Sequence, residues 1–268
     1  MSGSSRVSDT WASGRSYENY VGRWSRLVAA DFLAWLAVPP GARWLDVGAG
    51  TGVLTETVLV DRSPAEVVGV EPSDSFREYA ATQVPDPRVS FRAGSAQALP
   101  VDDDAFDVVV SGLVLNFVPD RPAALAEMRR ATRPGGTVAA YVWDYPGGMQ
   151  LMTHFWAAAV ALDPEALSLD EAARFDFCRP DPLRALFADA GLADVDVGEI
   201  VVPTDFGDFD AYWTPFLGGT GTAPAYAMSL SEPARAALRD AVRARLPVRD
   251  DGSIHLTARA WAVRGIVG

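Results

Sequence analysis

The chain reads as an α/β protein, a doubly wound and mainly parallel sheet with helices on both faces. Three observations predict this. Short Val-rich segments alternate with helical patterns over residues 42–143. Those segments are apolar nearly throughout, as strands covered on both faces must be. The first of them runs directly into a glycine cluster that opens a helix, Gly48-Ala49-Gly50-Thr51-Gly52.

The elements follow in order. Trp24, Leu27, Val28, Phe32, Trp35 and Leu36 recur at helical spacing until Pro39-Pro40-Gly41 breaks the pattern. Arg43 to Val47 is a short buried strand, and Val53, Leu54 and Val58 mark the helix after the glycines. Glu66 to Glu71 is a second strand, with a helix starting near Ser73. Arg88 to Arg92 is a brief third strand and Phe106 to Ser111 a fourth. The next helix has Asp120 near its cap, Pro122 in its first turn and Pro134-Gly135-Gly136 after its end. Thr137 to Trp143 is the fifth strand.

Beyond Trp143 the regularity weakens. Met149 to Leu162 is helical, and Asp181-Pro182 opens a helix closed by Gly191. Val195 to Val202 and Ile254 to Val263 complete a set of seven strands. Between these two lie an aromatic loop, Phe206 to Tyr226, and an amphipathic helix, Glu232 to Leu246. Right-handed crossovers make the sheet doubly wound and place ligands at the carboxyl ends of its strands. The whole chain, residues 1–268, is expected to be one domain. In it residues 1–41 form an N-terminal helix or lid, 42–143 a ligand-binding core, and 144–268 substrate-side insertions and the last strands.

Composition removes several classes of function. Every one of the 23 basic residues is Arg, and against 35 acidic residues the net charge is −12. Such a surface does not suit a nucleic-acid backbone or an anionic membrane. One cysteine, Cys178, and two histidines, His154 and His255, exclude an internal disulfide and a Cys- or His-rich metal site. The polar stretch Met1 to Ser16 has no apolar signal-peptide run, and Val108 to Pro119 is too short to span a bilayer. The expectation is a soluble cytoplasmic protein without a metal; composition does not fix its oligomeric state.

Glycines between a strand and a helix let a ligand approach the backbone at a helix N-terminus. Glu71 ends the second strand about 20 residues on, where a carboxylate can accept both hydroxyls of a ribose. Val53 stands where the dinucleotide fingerprint requires its third glycine, which argues against a nicotinamide or flavin dinucleotide.

Six segments carry a resemblance. They are Leu45 to Gly52, Val68 to Ser73, Gly94 to Pro100, Phe106 to Ser111, Leu115 to Asp120 and Arg133 to Gly136. Together and in this order they resemble the class I S-adenosylmethionine-dependent methyltransferases, in particular the ubiquinone and menaquinone C-methyltransferase group. The resemblance implies a Rossmann-like sheet of seven strands whose last strand is antiparallel, with helical and loop lid insertions. It also implies S-adenosylmethionine as cofactor and a small-molecule methyl acceptor. Position by position, it implies that Gly48, Ala49 and Gly50 pack on the methionine part and that Asp46 holds that loop or reaches the ammonium through water. Glu71 takes the ribose hydroxyls, and Pro72 lies beside the adenine. Ser95, Ala96 and Gln97 border the adenine, and Ser111 and Gly112 offer backbone groups near the methionine. Ser95 departs from the family's usual Asp, so its bond to the adenine amino group loses its charge assistance. Asn116 stands where many relatives carry His, which leaves no catalytic base at that position.

Transfer from a sulfonium needs alignment and exclusion of water more than a dedicated acid or base. The aromatic segments supply candidates for that enclosure. Tyr17, Tyr20, Arg23 and Trp24 precede the first strand, where relatives fold a lid, with Tyr20 or Arg23 expected near the methionine carboxylate. Trp143, Tyr145, His154 and Trp213 are candidates for the acceptor pocket. His154 and Asp144 are the candidates for a base, although a polar helix residue and a solvated loop residue are the plainer readings of the two. A protein of the same fold that binds S-adenosylmethionine without methylating is the alternative.

Overall fold

The computed structural model describes residues 22–218 and 221–268. Its helices are α1 (Arg23–Leu36), α2 (Val53–Arg62), α3 (Asp74–Gln83), α4 (Arg121–Ala131), α5 (Gln150–Leu162), α6 (Glu171–Arg174), α7 (Pro180–Asp189), α8 (Phe209–Trp213), α9 (Thr222–Ser229) and α10 (Glu232–Arg243). Its strands are β1 (Arg43–Val47), β2 (Glu66–Val70), β3 (Val89–Arg92), β4 (Phe106–Gly112), β5 (Thr132–Trp143), β6 (Ala193–Phe206) and β7 (Ile254–Ile266). Tyr17 and Tyr20 lie outside the described residues.

The seven strands form one sheet in the order β3-β2-β1-β4-β5-β7-β6. β1, β2, β3, β4 and β5 pair in parallel, and β7 runs antiparallel to β5, from Thr137 opposite Ile266 to Trp143 opposite Ala260. The chain builds outward from β1 to β3, then restarts on the other side with β4. Right-handed crossovers therefore put α2 and α3 on one face and α4 on the other. The reversal between β1 and β4 opens a crevice at their carboxyl ends, the place where open sheets of this kind bind ligands.

The sheet is buried where the apolar runs predict. Trp44, Leu45, Val67, Val68, Val109 and Val138 have no exposed surface, and each such side chain contributes roughly 1.5–3 kcal/mol relative to exposure. Helix starts follow the side-chain chemistry. Ser73 Oγ caps α3 at Phe76 N, and Asp120 accepts from Ala123 N to cap α4, with Pro122 in its first turn.

Three boundaries differ from expectation. β5 begins at Thr132, five residues before the expected start at Thr137. Thr132 already pairs with Phe106, and the register then shifts between Phe106 and Val108, so the Pro-Gly-Gly run sits within an irregular strand instead of ending a helix. β6 extends to Phe206, well past Val202, with strict alternation of burial over its second half. The expected aromatic loop from Phe206 to Tyr226 is largely helical: α8, a 3-10 turn over Thr214–Gly218, and most of α9. Asp208 caps α8 by accepting from Ala211 N at 2.7 Å.

The chain divides into two compact units. One comprises Ser25–Asp144, Phe177–Val201 and Arg259–Gly268 and holds β1 to β5 with parts of β6 and β7. The other comprises Arg23 and Trp24, Tyr145–Asp176 and Val202–Ala258. Its core is aromatic. Phe155 stacks on Phe216 at 4.5 Å and meets Trp156 edge-on at 5.2 Å, while Tyr212 donates from its hydroxyl to Leu151 O at 2.6 Å.

Candidate active site

The crevice edge is built at the end of β1. Asp46 is 1% exposed and accepts from Thr55 Oγ1 at 2.8 Å, which ties the strand to the first turn of α2. Burial pushes the Asp46 carboxyl up to about 7; the Thr55 bond opposes that rise and the nearby Glu71 carboxyl adds to it.

The three glycines that follow all have positive φ, at +78° for Gly48, +53° for Gly50 and +87° for Gly52, a region where L side chains are strained. Their surroundings differ. A Cβ on Gly48 would lie 2.7 Å from the Val114 side chain, and one on Gly52 would lie 3.2 Å from Ala80 Cβ in α3. A Cβ on Gly50 would meet nothing closer than Gly48 O at 3.9 Å. Of the three, Gly50 alone turns its bare face to space left open by the described residues, as a ligand cradle requires. Gly48 and Ala49 send their N–H groups to Val70 O, at 2.8 and 3.1 Å, so the loop is fixed to β2.

Glu71 closes the other side. It is 7% exposed, and its carboxyl accepts from Gly50 N at 3.1 Å and from Ser73 N at 2.9 Å, one donor on each oxygen. Arg77 Nη1 donates to the carbonyls of Glu71 and Pro72, holding that turn. A carboxylate offers about four acceptor directions. The backbone uses two, and the remaining two match the paired hydroxyls of a ribose. Pro72 is exposed beside it. Ser95, Ala96 and Gln97 form a turn closed by Ala98 N donating to Ser95 O at 3.1 Å, with Ser95 and Gln97 exposed. These residues fit the adenosine end of S-adenosylmethionine.

At the end of β4 the Ser111 hydroxyl donates to Val47 O at 2.9 Å, locking the two strands that flank the crevice. Gly112 is required by Tyr141, whose hydroxyl would lie 2.6 Å from a Cβ there. Leu113 continues with φ +61° and donates from its N–H to Tyr141 O.

The remaining predicted residues have other occupations. Arg23 places its guanidinium over the rings of Trp24 and Phe206, at 4.3 and 5.0 Å, a cation–π arrangement within one unit. Asp144 is 3% exposed and holds Arg259 at 2.7 Å, with Asp144 N donating to Arg259 O. The geometry ties Asp144 to Arg259, which makes it a positioning residue at the end of β5. His154 is half-buried, and burial, then the charge of Arg245, push its imidazole below the ordinary histidine value. Tyr145 packs on Phe175 at 5.0 Å. Trp213 stacks on Phe209 and Phe155, packs against Phe216 and is 4% exposed, which makes it part of the aromatic core instead of a pocket wall. Trp143 is 2% exposed at the last position of β5.

Two supporting groups go unnamed in the sequence reading. Thr55 is legible as a first-turn residue of its helix. Glu171 is not. It is 5% exposed in the aromatic unit, takes a hydrogen bond from Trp156 Nε1, and is raised to about 7 by burial. No spacing pattern links residues 156 and 171.

The methyltransferase domain family matches over residues 45–140, the stretch that contains all of the cofactor-side residues just described except Arg23. A demethylmenaquinone methyltransferase of Roseiflexus castenholzii (strain DSM 13941 / HLO8) is 36% identical over 172 residues, covering 60% of this chain and 72% of that protein. The chain belongs to the class I S-adenosylmethionine-dependent methyltransferases. As one of these methyltransferases it uses S-adenosylmethionine and transfers its methyl group to a small-molecule acceptor. The fold is shared by the YcgJ protein of Bacillus subtilis, with a TM-score of 0.56 at 20% identity over 91% of this chain and 98% of that one. It is also shared by phosphoethanolamine N-methyltransferase 2 of Haemonchus contortus, solved in complex with S-adenosyl-L-methionine. That match has a TM-score of 0.59 at 17% identity over 98% of this chain and 58% of that one. Among the described residues of this methyltransferase, no helix is long and apolar enough to cross a membrane.

Proposed function

We propose that this methyltransferase binds its cofactor along the crevice between β1 and β4. Glu71 holds the ribose, the Ser95–Gln97 turn borders the adenine, and the open face of Gly50 lies against the methionine part. Ser111 and Gly112 contribute main-chain groups there, and Asp46 holds the loop from beneath. The observation that carries this reading is the Glu71 carboxyl, aimed by Gly50 N and Ser73 N with two acceptor directions left over.

Bound S-adenosylmethionine supplies an electrophilic methyl on a sulfonium. The chain's part is to align the acceptor with that methyl and to exclude water. Trp143, at the carboxyl end of β5, is the acceptor-side residue best supported by its position. Asp144 supports it from the next residue through its ion pair with Arg259. The menaquinone precursor named for the Roseiflexus relative makes a flat ring acceptor the first to try. The buried, undisulfided Cys178 accords with a cytoplasmic setting.

Calorimetry tests the reading. S-adenosylmethionine and S-adenosylhomocysteine should bind at micromolar strength and raise the melting temperature, as ligands selective for the native state must. Heat with NAD but with neither of these would overturn it.

A further inference from the structure

Two buried donors at this edge of the sheet have no hydrogen-bond partner among the described residues. Asn116 is 4% exposed and its Nδ2 makes no hydrogen bond; Trp143 is 2% exposed and its Nε1 makes none either. A buried donor left unpaired costs its full desolvation, and native folds rarely tolerate one without a reason. The two share an address. Trp143 ends β5, Asn116 lies in the 3-10 turn Leu115–Phe117 just past β4, and these neighbouring parallel strands set Gly112 opposite Tyr141. Trp44 Nε1 is also unpaired, but it lies within β1 in the core and not at a strand's carboxyl end.

The Asn116 turn is held rigidly. Arg121 donates from Nε to Leu115 O at 2.9 Å and from Nη2 to Asn116 O at 3.3 Å, and its guanidinium lies 4.3 Å from the centre of the Phe177 ring. Two residues earlier, Val114 fills the space over Gly48, so the turn is packed on the glycine loop. The backbone is fixed and the side-chain amide is unspent, as expected of a group kept for a ligand.

We propose that Asn116 and Trp143 hold a hydrogen-bond-accepting oxygen of the methyl acceptor, making that acceptor a phenol, enol or conjugated carbonyl compound and not an alkylammonium. This rests on the methyltransferase reading above. An N–H donor is satisfied only by an acceptor atom; an ammonium has no lone pair to offer, and a neutral amine that accepted these bonds would spend on them the lone pair it needs to attack the methyl, whereas an oxygen keeps others. A cationic acceptor would call for a carboxylate, and those at this edge have other tasks: Glu71 is assigned to the ribose of the cofactor, Asp46 accepts from Thr55, and Asp144 holds Arg259. Hydrogen bonds to an anionic oxygen also favour its ionised form. The acceptor then loses its proton to solvent before transfer. Its electron pair forms the new bond to the methyl carbon, at the oxygen or at a conjugated carbon. The carbon–sulfur bond breaks with its pair returning to sulfur, and the cofactor leaves as the neutral thioether.

The test compares the full chain with Asn116→Leu, which keeps the shape of the side chain, and Trp143→Phe, which keeps a ring. S-adenosylhomocysteine release is followed with a panel of phenols and hydroquinones and with a panel of alkylamines that carry no oxygen. Turnover with the first panel only, falling roughly 10- to 100-fold in kcat/KM in each variant at unchanged KM for S-adenosylmethionine, is the expected result. Methylation of an alkylamine, or wild-type kcat/KM in both variants, overturns the assignment. Thermal denaturation decides independently of the acceptor chosen. Replacing an unpaired buried amide by an apolar group of similar shape leaves the melting temperature unchanged or raised, whereas a fall of several degrees in Asn116→Leu means that the amide serves the fold and overturns its role here. Wild-type protein that binds no S-adenosylhomocysteine would instead strike the cofactor reading and is seen separately by calorimetry.

Discussion

Replacing Glu71 tests the cofactor site at its most defined point. In Glu71→Ala, Gly50 N and Ser73 N lose their acceptor, and the ribose hydroxyls lose theirs. Hydrogen bonds to a charged group are worth about 1.5–3 kcal/mol each, but water replaces part of that in the unbound protein. The loss in binding is therefore about 2–3 kcal/mol, which raises the Kd for S-adenosylhomocysteine roughly 30- to 150-fold. Glu71→Gln keeps the shape and one acceptor oxygen, but it turns an amide NH2 toward one of the two backbone donors, so it should fall between. A weaker Kd alone does not separate lost ribose contact from a disturbed Gly50 loop. The 2′-deoxy analogue of S-adenosylhomocysteine does. If Glu71 accepts from the 2′-hydroxyl, the penalties of the variant and of the deoxy ligand fail to add, with a coupling of about 1 kcal/mol or more in the double cycle. Isothermal titration calorimetry on the four combinations reads it directly. A Kd within twofold of wild type in Glu71→Ala, or fully additive penalties, would refute the ribose assignment.

Three further outcomes follow from the same geometry. Gly50→Ala should weaken cofactor binding and lower the melting temperature only by the strain of its positive φ, since its Cβ meets nothing closer than 3.9 Å among the described residues; Gly48→Ala and Gly52→Ala should lower the melting temperature further, since their Cβ atoms would also meet Val114 at 2.7 Å and Ala80 at 3.2 Å. Asp46, raised from 3.8 to about 7 by burial, stabilises the fold fully below about pH 4 and loses that contribution as pH rises to about 7, up to about 4 kcal/mol at about 1.36 kcal/mol per pH unit. Urea unfolding should therefore show Asp46→Asn matching wild type near pH 4, gaining on it as pH rises and exceeding it most at pH 8, and a wild-type advantage at pH 8 would contradict this. Trp156→Phe removes the donor to Glu171, whose carboxyl is raised to about 7. It should cost about 1.5–3 kcal/mol at pH 8, where the carboxylate needs that donor, and less at pH 5, where it is protonated.

The parallel sheet was legible because its signals are local. Val-rich strands, first-turn prolines and the Ser73 and Asp120 caps each act within a few residues, and each stands where the sequence places it. The aromatic segment after Phe206 was legible in principle too. Phe209, Tyr212, Trp213 and Phe216 follow helical spacing, and Asp208 is an N-cap residue. The early start of β5 was not legible. A pairing of Thr132 with Phe106 across a register shift depends on a strand 26 residues away, and nothing near Thr132 announces it.

The glycine loop shows where reading a motif stops. Three glycines spaced by one residue state that the backbone takes positive φ three times, and the structure has it so. The motif does not say why each lacks a side chain. Val114 answers for Gly48 and Ala80 for Gly52, from 66 and 28 residues away, and at Gly50 a Cβ would meet only Gly48 O, at 3.9 Å, among the described residues. The buried acids behave alike. Glu71, Asp46, Asp144 and Glu171 are four carboxyls that burial alone would disfavour, and each is held by a partner: two backbone N–H groups, a threonine, an arginine and a tryptophan. Glu71 alone combines free acceptor directions with a place at the carboxyl end of a strand beside the crevice. Sequence position put Asp144 at the same edge, yet Arg259, 115 residues later, gives it a structural task. Candidates chosen by topology are thus sorted by their partners, and Asn116 and Trp143 stand out because theirs are missing.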